Sequence, residues 1–337
     1  MSEGTNGTDN NQLEQRLAEA LPPIDEKLAA AGLAINQRPT HAAIEFVDHF
    51  VEAVREGESP AIRPGEFGSY FATKWFAAIY AAVDKWYRTR FPSAFAQKAD
   101  HSLTGVVMIA GTTFGLRVPR NTFRPSEKAD CIWIGFPDDV RNEEDPISWI
   151  VNPPNLAHLT PAQRKEAKSN ARLVAGRLRF ISSGLTAMMR SDESFDGFRA
   201  GILPRLTNAA NLLISGSSEA VQQSFWEMQI ACESALKGLQ QQRTKTFKPT
   251  HDLFVLYDGI DPHPEFKRDT LKRLPRWEDA SNLRYGQGDK RSCTDAIKSY
   301  EGTLVIVAGA VASMDRVGLG NAQFEITRPL WTKAFEN

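Results

Sequence analysis

Six histidines (His41, His49, His101, His158, His251, His263) and three cysteines (Cys131, Cys232, Cys293) are the residues best equipped for chemistry, and they are scattered. No Cys-x-x-Cys and no His-Glu-x-x-His occurs, so neither pattern of paired metal ligands is present, and no metal or cofactor is expected. No Gly-x-x-x-x-Gly-Lys-Ser/Thr loop cradles a phosphate, and no Gly-x-Ser-x-Gly elbow presents a nucleophile. What remains is a cationic, glycine-bearing segment. Arg284, Lys290 and Arg291 flank Gly286 and Gly288 just ahead of a predicted helix. Glycines, free backbone N–H groups and cations together suit a phosphate. His251, at the start of another predicted helix, is a candidate ligand or acid–base group near Arg284. The plainer alternative gives His251 a packing role, Arg284 a bundle carboxylate such as Glu233, Tyr285 a place in the core, and the glycines a solvated cap.

These residues must be positioned by helices. Val221, Phe225, Met228, Cys232, Leu236 and Leu239 recur at three and four, predicting a helix from Ser217 or Ser218 to about Gln242 with an inert, packed Cys232. Pro249-Thr250 predicts the start of a helix with Leu253, Leu256 and Ile260, and a shorter stretch runs through Trp277 to Tyr285. Ile297, Tyr300, Leu304, Val307, Val311 and Met314 form a seam on a last helix over 292–315. Thr160-Pro161-Ala162-Gln163 reads as a capping box opening a helix to about Arg190. Its basic face would carry Arg164, Lys165, Lys168, Arg172, Arg177 and Arg179. A short helix is expected from Pro204 to Ile214.

The first 150 residues have a different rhythm. Helices are predicted from Leu13 to Gly32 with a break at Pro22-Pro23, over 41–56, and over 69–90 with a core stripe of Phe71, Trp75, Ile79, Val83, Trp86 and Tyr87. Strands are predicted at Leu103–Ala110, Thr113–Val118 and Cys131–Phe136, the first two joined at Gly111-Thr112 and the third set off by Pro119–Pro125. The expected architecture is an α+β N-terminal region with a small antiparallel sheet, followed by an all-α helical bundle. By residue, that is a disordered tail over 1–12, an α+β domain over 13–150, a bundle over 160–317 and a C-terminal tail over 318–337, with a strand at Gln323–Thr327.

The order Glu233-x-x-Leu236-Lys237, Thr250-His251-x-Leu253 and Leu283-Arg284-Tyr285 resembles the HEPN family. These are small helical bundles of prokaryotic toxin–antitoxin and defence systems. The resemblance spans about 217–317 and implies an up-and-down bundle of four or five helices, often a homodimer. Many such domains are RNases with an R-x(4–6)-H motif. Here no histidine follows Arg284 or Arg291, because His263 is the last in the chain. The expected protein is therefore a HEPN-like, non-catalytic module that binds RNA or a nucleotide, or a partner, in a defence or stress system. The alternative is an enzyme whose site lies in the N-terminal α+β domain or at the domain interface.

The 337 residues are 42% hydrophobic and 24% charged, a composition that can bury a core. No long uncharged apolar run is present, and the polar start lacks the apolar segment of a signal peptide. With few cysteines, a reducing, cytoplasmic setting without a membrane is expected. The net charge of −1 hides an asymmetry: −6 over the first 150 residues and +5 over the rest. The basic half permits nucleic-acid binding without requiring it.

Overall fold

A computed structural model describes residues 6–55, 60–66, 69–71, 73–96, 102–128, 131–188, 192–316 and 322–327. The expected class holds: a small antiparallel sheet lies in the N-terminal half and the C-terminal region is largely helical. The chain forms two compact units. The first comprises 1–100 with 126–132 and 326–337; the second comprises 101–125 and 133–325. The expected boundary at residue 150 falls inside the second unit.

The first unit is built on α1 (Asn6–Ala30), α2 (Arg38–Phe50), α3 (Lys74–Arg90) and α4 (Pro92–Ala96). Helix α1 includes residues 6–12, expected as tail, and runs through Pro22 and Pro23. Proline's fixed φ is itself helical; what it costs is ladder hydrogen bonds. Leu17, Leu21, Ile24 and Leu28, buried on both sides of the pair, offset that cost. Helix α2 stops at Phe50, and Val54 instead bridges Ile62 in extended pairing. Helix α3 starts at Lys74, where the Thr73 hydroxyl accepts from the Phe76 N–H. Ile79, Val83 and Tyr87 are buried as expected, Trp75 and Trp86 pack beside them, and Phe71 is exposed outside the helix. The rest of the expected tails, 1–5, 318–321 and 328–337, lies outside the described residues.

The second unit begins with the hairpin β1 (Leu103–Ile109) and β2 (Thr112–Val118), in register from Leu103↔Val118 to Ile109↔Thr112. Its two turn residues are Ala110 (φ +49°) and Gly111 (φ +82°), one position earlier than expected. Positive φ at both is the mark of a two-residue turn that matches strand twist. At Gly105 a Cβ would meet Leu178 and Val174 at 2.8 Å, so glycine is what lets β1 lie against the following long helix. Strand β3 (Thr122–Pro125) occupies the segment expected only as a spacer, and β4 (Cys131–Gly135) and β5 (Gln323–Thr327) complete a sheet of order β3-β4-β5.

The bundle follows: α5 (Pro161–Thr186), α6 (Glu193–Ser215), α7 (Ser218–Thr244), α8 (Leu253–Asp258), α9 (Trp277–Arg284) and α10 (Cys293–Ala312). The predicted capping box is present at Thr160 and Gln163. Arg179, expected on a basic face, is buried instead. Its guanidinium meets both Glu144 oxygens, the Pro119 and Asp139 carbonyls and the Trp149 ring. Helix α6 is about twice the expected length because Pro204 is carried inside it and Asp192 caps its start. On α7, Phe225, Met228, Cys232, Leu236 and Leu239 are fully buried. Of these, Phe225, Met228, Leu236 and Leu239 each contribute about 1.5–3 kcal/mol by leaving water. Burial also pushes the Cys232 thiol up, so it stays protonated and unreactive.

Candidate functional site

Helix α7 is buried nearly all round, and its buried polar residues decide where the loops go. Gln222 exchanges two bonds with the Arg291 backbone, donating from Nε2 to the carbonyl at 2.9 Å and accepting from the N–H at 3.0 Å. Gln229 donates to the His251 carbonyl at 3.2 Å. Gln240 holds the Leu256 carbonyl and the Lys248 N–H; Gln242 holds both backbone groups of Asp315. A glutamine amide offers a donor and an acceptor, as a peptide does, so Gln222, Gln240 and Gln242 each satisfy both ends on backbone, whereas the buried Gln229 Oε1 has no hydrogen-bond partner among the described residues. The signal in the sequence is a helix with glutamines among apolar residues on every face.

His251 is fixed by three contacts. Its Nδ1 lies 3.0 and 3.1 Å from the two Glu233 oxygens, its ring stacks on Trp277 at 3.8 Å and 10°, and its carbonyl meets Gln229. A carboxylate only accepts, so Nδ1 is the donor in this contact and Nε2 is left on the other side of the ring. Glu233 is itself buried and also receives the Lys237 ammonium at 2.7 Å, one turn further along α7. The predicted Arg284–Glu233 pair is therefore absent. The Arg284 guanidinium lies 4.6 Å from the Trp226 ring centre and 5.6 Å from that of Tyr285. Tyr285 is 70% exposed, not in the core. Helix α8 is capped by Asp252 rather than Thr250: the Asp252 carboxylate accepts from the Phe254 and Val255 N–H groups. Two residues of offset place His251 before the helix rather than in it.

A cleft of about 940 Å³ opens beside His251. Arg268, Lys272, Arg276 and Arg291 line it, with Asp252, Glu278 and Asp279. Arg268 is committed to Asp258 in a two-pronged pair and Lys272 to Asp269. Arg276 and Arg291 have no carboxylate in ion-pair contact among the described residues; Arg291 instead lies 5.6 Å from the Phe225 ring centre. The cleft brings together His251 and Arg291 of the predicted set. Arg284, Gly286, Gly288 and Lys290 do not line it; Arg284 ends α9 and the other three sit on the exposed turn after it, with Gly286 at φ +72° and Gly288 at +84°. The turn's N–H groups are partly spent, Gly286 on Leu283, Gln287 on Asn282 and Arg291 on Gln222. The N-terminus of α10 is capped by Ser292, with Asp295 beside it.

Among the described residues no three His, Cys, Asp or Glu side chains are grouped to hold a metal ion. No helix among them is long and apolar enough to cross a membrane. No family model, curated protein or solved structure matches the chain.

Proposed function

We propose that this protein is a HEPN-like module that binds RNA or a nucleotide through the cleft beside His251, in a prokaryotic defence or stress system and as a homodimer. The observation that carries the reading is the pairing of uncommitted cations, Arg276 and Arg291, with a ring surface made by His251 and Trp277 in one cleft. Cations neutralise phosphates and ring faces take bases. The resemblance over 217–317 supports the same class, since its Glu233, Lys237 and His251 meet in one cluster, the first two buried and His251 half exposed. Binding is the primary role because the chain lacks the spacing of the nuclease motif.

A second reading has its own support. Glu233 orients His251 and leaves Nε2 free in a cleft shared with Arg291, an arrangement suited to proton transfer at a phosphodiester. Incubation of the wild type with labelled RNA separates the two. Binding without cleavage supports the first. Cleavage that disappears in His251→Ala, with the fold intact, establishes the second. No binding of RNA or nucleotide at low salt contradicts both. Light scattering tests the assembly: a mass of 37.5 kDa contradicts the dimer, and twice that supports it.

A further inference from the structure

His251, Trp277, Trp226, Arg284 and Tyr285 form a continuous ladder, with successive centre separations of 3.8, 4.7, 4.6 and 5.6 Å. Its members come from α7, the loop before α8, α9 and the turn after α9. Among the inner members Trp277 and Trp226 are half-buried and Arg284 is exposed. The ends are open: the His251 side chain is 51% exposed and Tyr285 is 70% exposed. A tyrosine so exposed buries too little apolar surface to stabilise the bundle. Around the ladder, segment 267–291 carries eight Lys and Arg against four Asp and Glu, a balance of +4. The chain as a whole is at −1.

We infer that this ladder is the docking surface for single-stranded RNA, with unpaired bases stacked on its two open ends and phosphates held by Arg276, Lys290 and Arg291. The inference rests on the RNA-binding reading above and narrows it to an unpaired strand. Only unpaired nucleotides offer free base faces. In a duplex those faces are buried in the helix, and recognition passes through phosphates and 2′-hydroxyls along a shallow groove. A ladder of rings with two open ends does not fit such a groove. It fits a strand whose bases meet ring faces while its backbone follows cations. A mononucleotide engages one end; a strand engages both, so affinity rises with length.

The test uses the full chain and a fluorescently labelled mixed-sequence RNA of about a dozen nucleotides, followed by anisotropy. The same strand annealed to its complement is the second probe, and AMP is the competitor. The strand should bind at least about tenfold tighter than the duplex. Tyr285→Ala should weaken strand binding at least about fivefold, Tyr285→Phe should keep it, and the melting temperature of both should match wild type. Equal affinity for strand and duplex, or an unchanged Tyr285→Ala, overturns the inference and leaves RNA binding standing. Binding of AMP but of neither RNA also overturns it and keeps only the nucleotide part of the reading. Binding of none of the probes removes both.

Discussion

Glu233 is the costliest side chain of the site to remove. It is buried on α7 between Lys237, whose side chain is 9% exposed, and His251. Deleting the carboxylate strands the Lys237 ammonium in the interior, an uncompensated buried charge worth about 3–5 kcal/mol. Glu233→Ala should therefore lower unfolding free energy by about that amount in urea titration, whereas Lys237→Met with Glu233→Leu together should recover most of it. If the single change costs under about 1 kcal/mol, the cluster is not the buried pair described. At the same scale, the sequence made Cys232 and the α7 face legible because packing at three and four is local. It did not reveal the partners of Glu233, Arg179 or Arg284, since each choice among cations and carboxylates is made by tertiary distance.

At the scale of elements, the α5 segment is tied to the chain before it by Arg179 and Glu144. Burial alone would raise the Glu144 carboxyl. Hydrogen bonds from Arg179 and the Arg141 N–H, with the charges of both arginines, outweigh it and hold the group below its ordinary value of 4.5. A folded value below the unfolded one means stabilisation that is complete above the unfolded value and lost as pH falls through the folded one. Unfolding free energy should thus decline from about pH 4.5 downward, and Glu144→Gln should remove that component of the slope. An unchanged acid slope in the variant would contradict the assignment. The hairpin offers a second check. Ala110 sits at φ +49°, a conformation that costs an alanine about 1 kcal/mol. Ala110→Asn, which makes an Asn-Gly turn, should raise stability by roughly that amount in denaturant titration. A loss of stability would place the turn elsewhere.

The elements legible in the sequence were those with local signals: the Thr160 capping box, the seams of α7 and α10, and strands at β1, β2 and β4. Those missed were governed by non-local packing. Pro22 and Pro23 read as a break and Pro204 as a helix start, yet burial of the neighbouring apolar residues carries α1 and α6 through them. Strand β3 ends in a proline and is mostly exposed, so neither burial nor alternation announces it. The glutamines of α7 carry no apolar signal; they are buried because each finds backbone to bond.

For the whole molecule, the proposed RNA-binding surface is a collection of charge and aromatic rings made by the bundle. The collection is not visible along the chain. Trp226 and Trp277 are 51 positions apart in sequence, and only the packing of α9 against α7 brings them together. The most direct test is the dependence of RNA affinity on salt, measured for the wild type and for Lys290→Ala with Arg291→Ala. Each phosphate neutralised by a cation releases counterions, so affinity falls with salt in proportion to the contacts made. The account predicts weaker binding by the double variant at low salt and a log–log slope shallower by about two phosphate contacts. An identical slope and affinity in the two proteins would contradict it.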